Sequence, residues 1–285
     1  MAEFRSEIIV GINMDYFVWD IDPIAISVGF AKIRWYGLMF ASAFISSYLL
    51  MTWMYKREGK NIEEIDDLLT YAAVGTVVGA RLGHCLFYNP EYYFDHPFKI
   101  LAIWEGGLAS HGAILGILLA LYLYQRKVQE TYVWFIDRVA IVSALGASFI
   151  RMGNFFNSEI YGEPTTVPWA VVFGNIDATP RHAVQLYEAI AYSAIFISLF
   201  VTYKFTQVKH HTGATLGLLL FLVFSSRFLL EFIKTKQASY STDLIMTTGQ
   251  LLSIPFLFAG LTLILMSRRK HKARVTNNKT TRPKG

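Results

Sequence analysis

Val133-Trp134-Phe135-Ile136-Asp137-Arg138-Val139-Ala140-Ile141-Val142-Ser143-Ala144-Leu145-Gly146-Ala147-Ser148-Phe149-Ile150 runs without a break into Arg151-Met152-Gly153-Asn154-Phe155-Phe156-Asn157-Ser158-Glu159-Ile160-Tyr161-Gly162. The first part is long and apolar enough for a helix in hydrocarbon. The second part places a cation, two carboxamides, a carboxylate and two glycines within twelve residues. A helix end needs one Asn or one Gly as a cap, not this inventory. The stretch offers a fixed charge at Arg151, amide donors and acceptors at Asn154 and Asn157, and glycines that admit close backbone approach. It reads as the polar floor of a site at a membrane surface.

The surrounding chain has the composition of a polytopic membrane protein. Of its 285 residues 54% are hydrophobic and only 16% charged, against about a quarter charged in soluble domains. The net charge of +5 comes mostly from the C-terminal tail, and such a tail reflects topology and anionic lipid rather than nucleic acid. No internal repeat is evident. Cys85, the one cysteine, has no partner for an internal disulfide and reads as a small buried hydrophobe. Met1 to Ser6 has no basic region leading into a long apolar core, so a cleavable leader is not expected.

Seven apolar segments of spanning length follow an interfacial stretch, residues 1–35. They lie near 36–55, 68–88, 106–124, 132–150, 183–203, 214–233 and 245–266, followed by a basic tail, 267–285. The expected fold is an all-α integral membrane protein of seven transmembrane helices, with a loop region at about 151–181. Lys and Arg in the connecting segments set its orientation. With the C-terminus inside, the inner segments hold fifteen and the outer segments eight, and the tail supplies that contrast.

On this topology the polar outliers converge. Tyr36 opens the first span and Arg81 lies in the outer half of the second. His111 sits about a turn and a half into the third, at 3.6 residues per turn. Arg151 leaves the fourth, Gln185, Tyr187 and Glu188 open the fifth, and Arg227 and Glu231 lie in the outer half of the sixth. Only Asp137 and Arg138 fall toward the inner end. Ionisable groups inside a bilayer face a cavity and pair with one another, so one outward-facing polar site is expected.

Each outlier has a plain and a functional reading. Arg227 and Glu231 are one helical turn apart, either an ion pair that lets the helix insert or a carboxylate orienting a guanidinium toward an anion. A guanidinium keeps its charge when poorly hydrated and grips phosphate with two parallel bonds. Arg151 alone would snorkel to the interface, but the polar run after it argues for a ligand. Two arginines at one depth point to one anionic group, and a phospholipid phosphate is the anion available there. Arg81, in Gly79-Ala80-Arg81-Leu82-Gly83-His84, reads as structural. His111, in Gly106-Gly107-Leu108-Ala109-Ser110-His111-Gly112, is a candidate proton acceptor for a thiol or hydroxyl. No histidine spacing suits a metal, and no P-loop or Gly-x-Ser-x-Gly elbow occurs. The last span has no lysine, which argues against a retinal pump.

These residues, with Ile33-Arg34-Trp35-Tyr36-Gly37-Leu38, His182-Ala183-Val184-Gln185-Leu186-Tyr187-Glu188-Ala189, Arg227-Phe228-Leu229-Leu230-Glu231-Phe232 and Gly249-Gln250-Leu251-Leu252-Ser253-Ile254-Pro255, resemble the prolipoprotein diacylglyceryl transferase family over most of the chain. The Arg151–Gly162 stretch corresponds to its signature.

The resemblance implies a multi-pass enzyme of the bacterial inner membrane, N-terminus periplasmic and C-terminus cytoplasmic. Its substrates would be phosphatidylglycerol, a membrane lipid, and the lipobox cysteine of a preprolipoprotein signal peptide. The diacylglyceryl group passes to the thiol, a thioether forms and glycerol phosphate leaves, with no metal or organic cofactor. His111, Arg151 and Arg227 carry over as catalytic, and Tyr36, Asn154, Glu159, Gly162 and Glu231 as essential. Asn157, inside the signature, joins those that bind substrate.

Several positions depart from the family pattern. Ile150 and Ser158 stand where Gly is usual, and Ser110 where Phe is common. Ala183-Val184 replaces a Pro-Ser pair, and Val223 replaces a Tyr. None removes a charged group. The alternative from another class is a transporter or flippase of an anionic lipid or polyol phosphate. That reading expects polar groups continuing to the inner face and symmetry between halves, and neither is evident. A scaffold without chemistry gives no reason for Arg151, His111 and Arg227 at one depth.

Overall fold

The computed structural model describes residues 16–29, 31–103, 106–206, 208, 212–235 and 246–280. Within the expected interfacial stretch the strands are β1 (Phe17–Trp19), β2 (Ile24–Val28) and β3 (Ala31–Arg34). Residues 1–15 of that stretch, and 281–285 of the tail, lie outside the described residues. The helices are α1 (Trp35–Glu58), α2 (Glu64–Phe87), the short α3 (Pro90–Asp95), α4 (Ser110–Tyr124), α5 (Tyr132–Phe156), α6 (Val184–Phe205), α7 (Ala214–Leu230) and α8 (Thr248–Thr280). Strands β4 (Val171–Phe173) and β5 (Pro180–Arg181) separate α5 from α6.

By length and composition five helical stretches suit a membrane crossing: Trp35–Glu58, Tyr132–Phe156, Val184–Phe205, Ala214–Ile233 and Thr248–Arg269. The other two expected spans fall on α2 and α4. The former opens with Glu64, Asp66 and Asp67, carboxylates that suit the positive end of a helix dipole. The latter has 15 residues, about 22 Å at 1.5 Å per residue.

Three expected boundaries move. The third segment becomes helical at Ser110 rather than 106, because Gly106 and Gly107 have φ of +87° and +74°, outside helical geometry. This places His111 in the first turn of α4, not a turn and a half along it. The fourth helix continues six residues past Ile150 to Phe156, so Arg151 lies inside it. The basic tail begins as a continuation of α8, which runs to Thr280.

The chain divides into two compact units. One contains residues 1–43, 146–195 and 222–257, the other 44–145, 196–221 and 258–285. In the first, β1 pairs in parallel with β4, and β4 antiparallel with β5. Phe155, Val171, Phe173 and Ala183 are buried there, packed by Trp19, Tyr161 and Leu186. The Trp19 ring packs at a tilt against Phe155, centroids 4.3 Å apart, and its Nε1 donates to the Phe155 carbonyl at 3.1 Å. Trp35 stacks on Phe156 at 4.9 Å. These aromatic contacts hold the end of α5.

The second unit contains the paired α2 and α4. Gly75, Gly79 and Gly83 face Gly112, Gly116 and Ala120, so the two backbones touch. Small residues permit such contact between helices in lipid, where close packing replaces the hydrophobic drive. The two ionisable residues that fell apart from the others are also explained here. Asp137 Oδ2 accepts from Gly213 N–H at 2.7 Å and Oδ1 from Leu216 N–H at 3.0 Å, which caps the start of α7. Arg138 Nη2 pairs with Glu58 at 2.8 Å, and Trp134 Nε1 and the Tyr203 hydroxyl donate to the same carboxylate at 2.9 and 2.6 Å.

Gly75→Val tests the seam. A Cβ at Gly75 would stand 2.7 Å from both Ala120 Cβ and the Gly116 carbonyl oxygen. Overpacking of this kind costs about 1–3 kcal/mol. A lower thermal midpoint in detergent is expected, and an unchanged midpoint would contradict the contact.

Candidate active site

The signature stretch begins as helix and ends as a strained turn. Near the end of α5, Arg151 and Asn154 are three residues apart and share a face. Arg151 Nη1 donates to Asn154 Oδ1 at 3.1 Å, and Asn154 Nδ2 donates to Glu159 Oε1 at 2.8 Å. Asn157 Nδ2 reaches the same oxygen at 3.4 Å. Glu159 can return toward the helix because the chain reverses there, its own N–H donating to the Asn154 carbonyl at 3.1 Å. Ser158 and Ile160, on either side, have φ of +54° and +60°. Left-handed backbone costs a residue other than glycine on the order of 1–3 kcal/mol, and a β-branched residue there is an outlier. Gln185 braces the turn, its Nε2 donating to the Glu159 carbonyl at 2.7 Å.

Gly162 makes a close approach. Its N–H donates to the His182 carbonyl at 2.9 Å, and it forms an isolated antiparallel bridge with Lys234. A Cβ here would stand 2.6 Å from the Ile233 carbonyl oxygen and 2.7 Å from His182 Cβ. The contact brings the segment after α7 against the signature and delivers Lys234, which the sequence reading missed. A lysine just past a span resembles a snorkelling anchor, and only the Gly162 bridge marks it otherwise.

Glu188 joins these parts. Its carboxylate is 1% exposed, 2.9 Å from Arg151 Nε and 3.6 Å from Lys234 Nζ. Burial pushes the Lys234 ammonium below its ordinary lysine value, with Glu188 pulling the other way. Tyr36 packs its ring on Gly153, where a Cβ would come within 2.9 Å, and its hydroxyl lies within electrostatic reach of Glu159 and Arg151.

Arg227 and Glu231 behave differently from a helical ion pair. From Glu231 to Ile233 the chain tightens into a 3₁₀ turn, and the Glu231 carboxylate packs on Gly249 in the first turn of α8. Negative charge is favoured at that helix end. A capping box closes the same end, with Gln250 N–H donating to Thr247 Oγ1 at 3.2 Å and Thr247 N–H to Gln250 Oε1 at 3.0 Å;. Among the described residues Arg227 has no hydrogen bond or ion pair. Both Arg151 and Arg227 act electrostatically on the buried Tyr192 hydroxyl.

Eight of the nine expected site residues thus belong to the first unit. Most of the buried polar framework is committed to itself, and Arg227 is the exception among the described residues. His111 belongs to the second unit. It is exposed at the start of α4, its ring beside Tyr88 at 5.9 Å and Phe87 at 5.6 Å.

Residues 23–266 match the family described as prolipoprotein diacylglyceryl transferase. The chain is similar to proteins named phosphatidylglycerol–prolipoprotein diacylglyceryl transferase. It is 51% identical to one from Tolumonas auensis over 257 residues, covering 90% of this chain and 99% of the relative. Identity is 47% to one from Chloroherpeton thalassium over 263 residues, covering 92% and 98%. It is 40% to one from Porphyromonas gingivalis over 270 residues, covering 88% and 94%.

Two substitutions probe the framework. Ser158→Gly removes a left-handed serine and a buried hydroxyl without a hydrogen bond, so the thermal midpoint should hold or rise, by an amount corresponding to about 1 kcal/mol. Glu188→Ala leaves Arg151 and Lys234 without their shared carboxylate. Breaking a buried pair costs about 3–5 kcal/mol, so a clear fall in the midpoint is expected by the same measurement.

Proposed function

The chain belongs to the prolipoprotein diacylglyceryl transferase family, and on that premise we propose that it moves the diacylglyceryl group of phosphatidylglycerol onto the lipobox cysteine thiol of a preprolipoprotein. Sulfur attacks the glyceryl carbon that bears the phosphodiester oxygen. A carbon–sulfur bond forms, the carbon–oxygen bond breaks, and the electron pair leaves with glycerol phosphate. The thiol proton passes to a base. This is the first step of lipoprotein maturation.

The observation that carries the reading is the guanidinium of Arg227, unpaired among the described residues, in the unit where Arg151 is held by Glu188 and Asn154. Arg227 grips the phosphate, and Arg151 adds fixed positive charge where negative charge grows on the leaving group. Such preorganised stabilisation is usually the largest catalytic contribution. An ordinary thiol has a pKa near 8.5 and reacts as thiolate, so the step needs a proton acceptor. His111 takes that role. Tyr36, Asn154, Asn157 and Glu159 keep Arg151 and the headgroup oriented. Gly162 holds the backbone approach, and Glu231 fixes the turn that follows Arg227.

The same reading has the protein in the bacterial inner membrane with seven spans, counting α2 and α4, and residues 157–181, after α5, as a periplasmic loop region. The N-terminus is periplasmic and the C-terminus cytoplasmic, supported by the fifteen inner against eight outer Lys and Arg;.

The test is transfer of labelled diacylglyceryl from phosphatidylglycerol to a lipobox peptide by purified protein in detergent. Labelled peptide with an equal amount of glycerol phosphate is expected. Folded protein that binds the lipid but forms no product would favour the transporter instead. Arg227→Ala should lower kcat by about 100-fold or more, the scale of losing one transition-state donor, with membrane insertion intact. His111→Asn should lower kcat by about 100-fold or more, as for loss of a general base, with lipid affinity little changed. Equal loss of rate and affinity would make His111 a binding residue.

A further inference from the structure

The site described so far makes no use of Arg81. It is 4% exposed, and among the described residues no carboxylate lies within ion-pair distance of it. A buried guanidinium needs its N–H groups filled by acceptors. Among the described residues those acceptors are the backbone carbonyls of Lys99, Ile100, Gly106 and Gly107. Nε donates to Ile100 O at 2.9 Å, Nη2 to Lys99 O at 2.5 Å, and Nη1 to Gly106 O at 2.5 Å and Gly107 O at 3.3 Å. The Tyr93 ring lies 5.1 Å from the guanidinium carbon.

That segment leads directly into α4. The positive φ of Gly106 and Gly107 lets both carbonyls meet the same nitrogen;. Gly107 is also pressed against α2, where a Cβ would stand 2.6 Å from the His84 ring and 2.8 Å from Arg81 Nη1. Two residues on, Ala109 N–H donates to the Ala80 carbonyl at 2.9 Å. A Cβ at Gly83 would stand 2.8 Å from Gly112 Cα. His111 lies between these anchors, its ring against Phe87 and Tyr88 at the end of α2.

We propose that Arg81 is a positioning residue for His111, clamping the carbonyls of Lys99, Ile100, Gly106 and Gly107 so that α4 starts at a fixed place and presents the imidazole there. The kinetic part of this inference rests on the reading of His111 given above; the positioning part does not. A guanidinium fits the role because its five donors lie in one rigid plane, whereas an ammonium is a compact point charge on a flexible stem. Arg81→Lys therefore keeps the charge and loses the clamp.

Two measurements test it. In the first, Arg81→Lys and His111→Asn are combined in a double-mutant cycle on transfer rate. Arg81→Lys alone should lower kcat by about 100-fold, the scale of a 1 Å misplacement, and should lower it no further in the His111→Asn background. The same fold-loss in both backgrounds would reduce Arg81 to a structural residue and overturn the proposal. In the second, carbethoxylation of His111 by diethyl pyrocarbonate is followed by mass spectrometry, with His182 as reference. The His111 rate should change in Arg81→Lys while the His182 rate holds, and an unchanged His111 rate overturns the proposal. If the wild-type protein catalysed no transfer, the proposed function would fall and this second measurement would still decide the role of Arg81. Should Arg81→Lys not fold, Gly106→Ala replaces it. Its Cβ meets nothing within 4 Å, so it disturbs the clamp through φ alone, and the same pattern is expected with a smaller change.

Discussion

The Glu188 carboxylate is the constraint on which the first unit depends. It is buried with one cation at 2.9 Å and a second at 3.6 Å. A buried charge with a missing partner is far less stable than a complete pair, so the burial of Glu188 depends on Arg151 and Lys234 both arriving. Each comes from a different part of the chain. Arg151 comes from α5, and Lys234 reaches the site only because Gly162 lets its segment close on the signature turn. One carboxylate thus ties the ends of α5 and α7 to the start of α6. Formally three carboxylates, Glu159, Glu188 and Glu231, balance three cations, Arg151, Arg227 and Lys234. On the proposed reading, this site binds an anion by directed donors rather than by excess positive charge.

The signature turn is strained for a reason visible in its bonds. Glu159 receives two carboxamides from the helix that precedes it, and that requires the chain to reverse within two residues. Ser158 and Ile160 take left-handed conformations to do so. Strained backbone persists only where the surroundings over-determine it. Here Gln185 below and the Trp19 and Trp35 contacts behind supply that restraint. The glycine expected from the resemblance where Ser158 stands fits the same φ, because glycine alone adopts it without steric cost.

Much of this was legible in the sequence. Polar residues interrupting apolar spans are expensive and therefore few, so Arg151, Asn154, Glu159, Arg227 and Glu231 could be picked out one by one. The apolar runs located the starts of the long helices to within about four residues, but not the ends of α5 and α8. Residues whose role depends on long-range closure were not legible. Lys234 looks like any lysine past a span, and its burial follows from the Gly162 bridge some seventy positions away. The partner of Glu231 was misjudged because helical spacing suggested Arg227, whereas the 3₁₀ turn directs the carboxylate to the start of α8. The start of α4 was placed too early because Gly106 and Gly107 count toward an apolar run yet adopt non-helical φ. Asp137 and Arg138 looked anomalous until their partners, the start of α7 and Glu58, were known.

Four arginines of α2, α5 and α7 differ in what fills their donors. Arg138 is paired with the carboxylate of Glu58 and supported by tryptophan. Arg81 is filled by four carbonyls and an aromatic ring. Arg151 is shared between Glu188 and Asn154. Each is a guanidinium whose desolvation has been offset by acceptors built into the fold. Arg227 is the exception among the described residues, with no acceptor of its own, while the nearest carboxylate in its sequence, Glu231, turns away to α8. A poorly solvated cation without an acceptor is costly, and this is the physical ground on which Arg227, rather than Arg81, Arg138 or Arg151, is proposed to meet an anionic lipid headgroup.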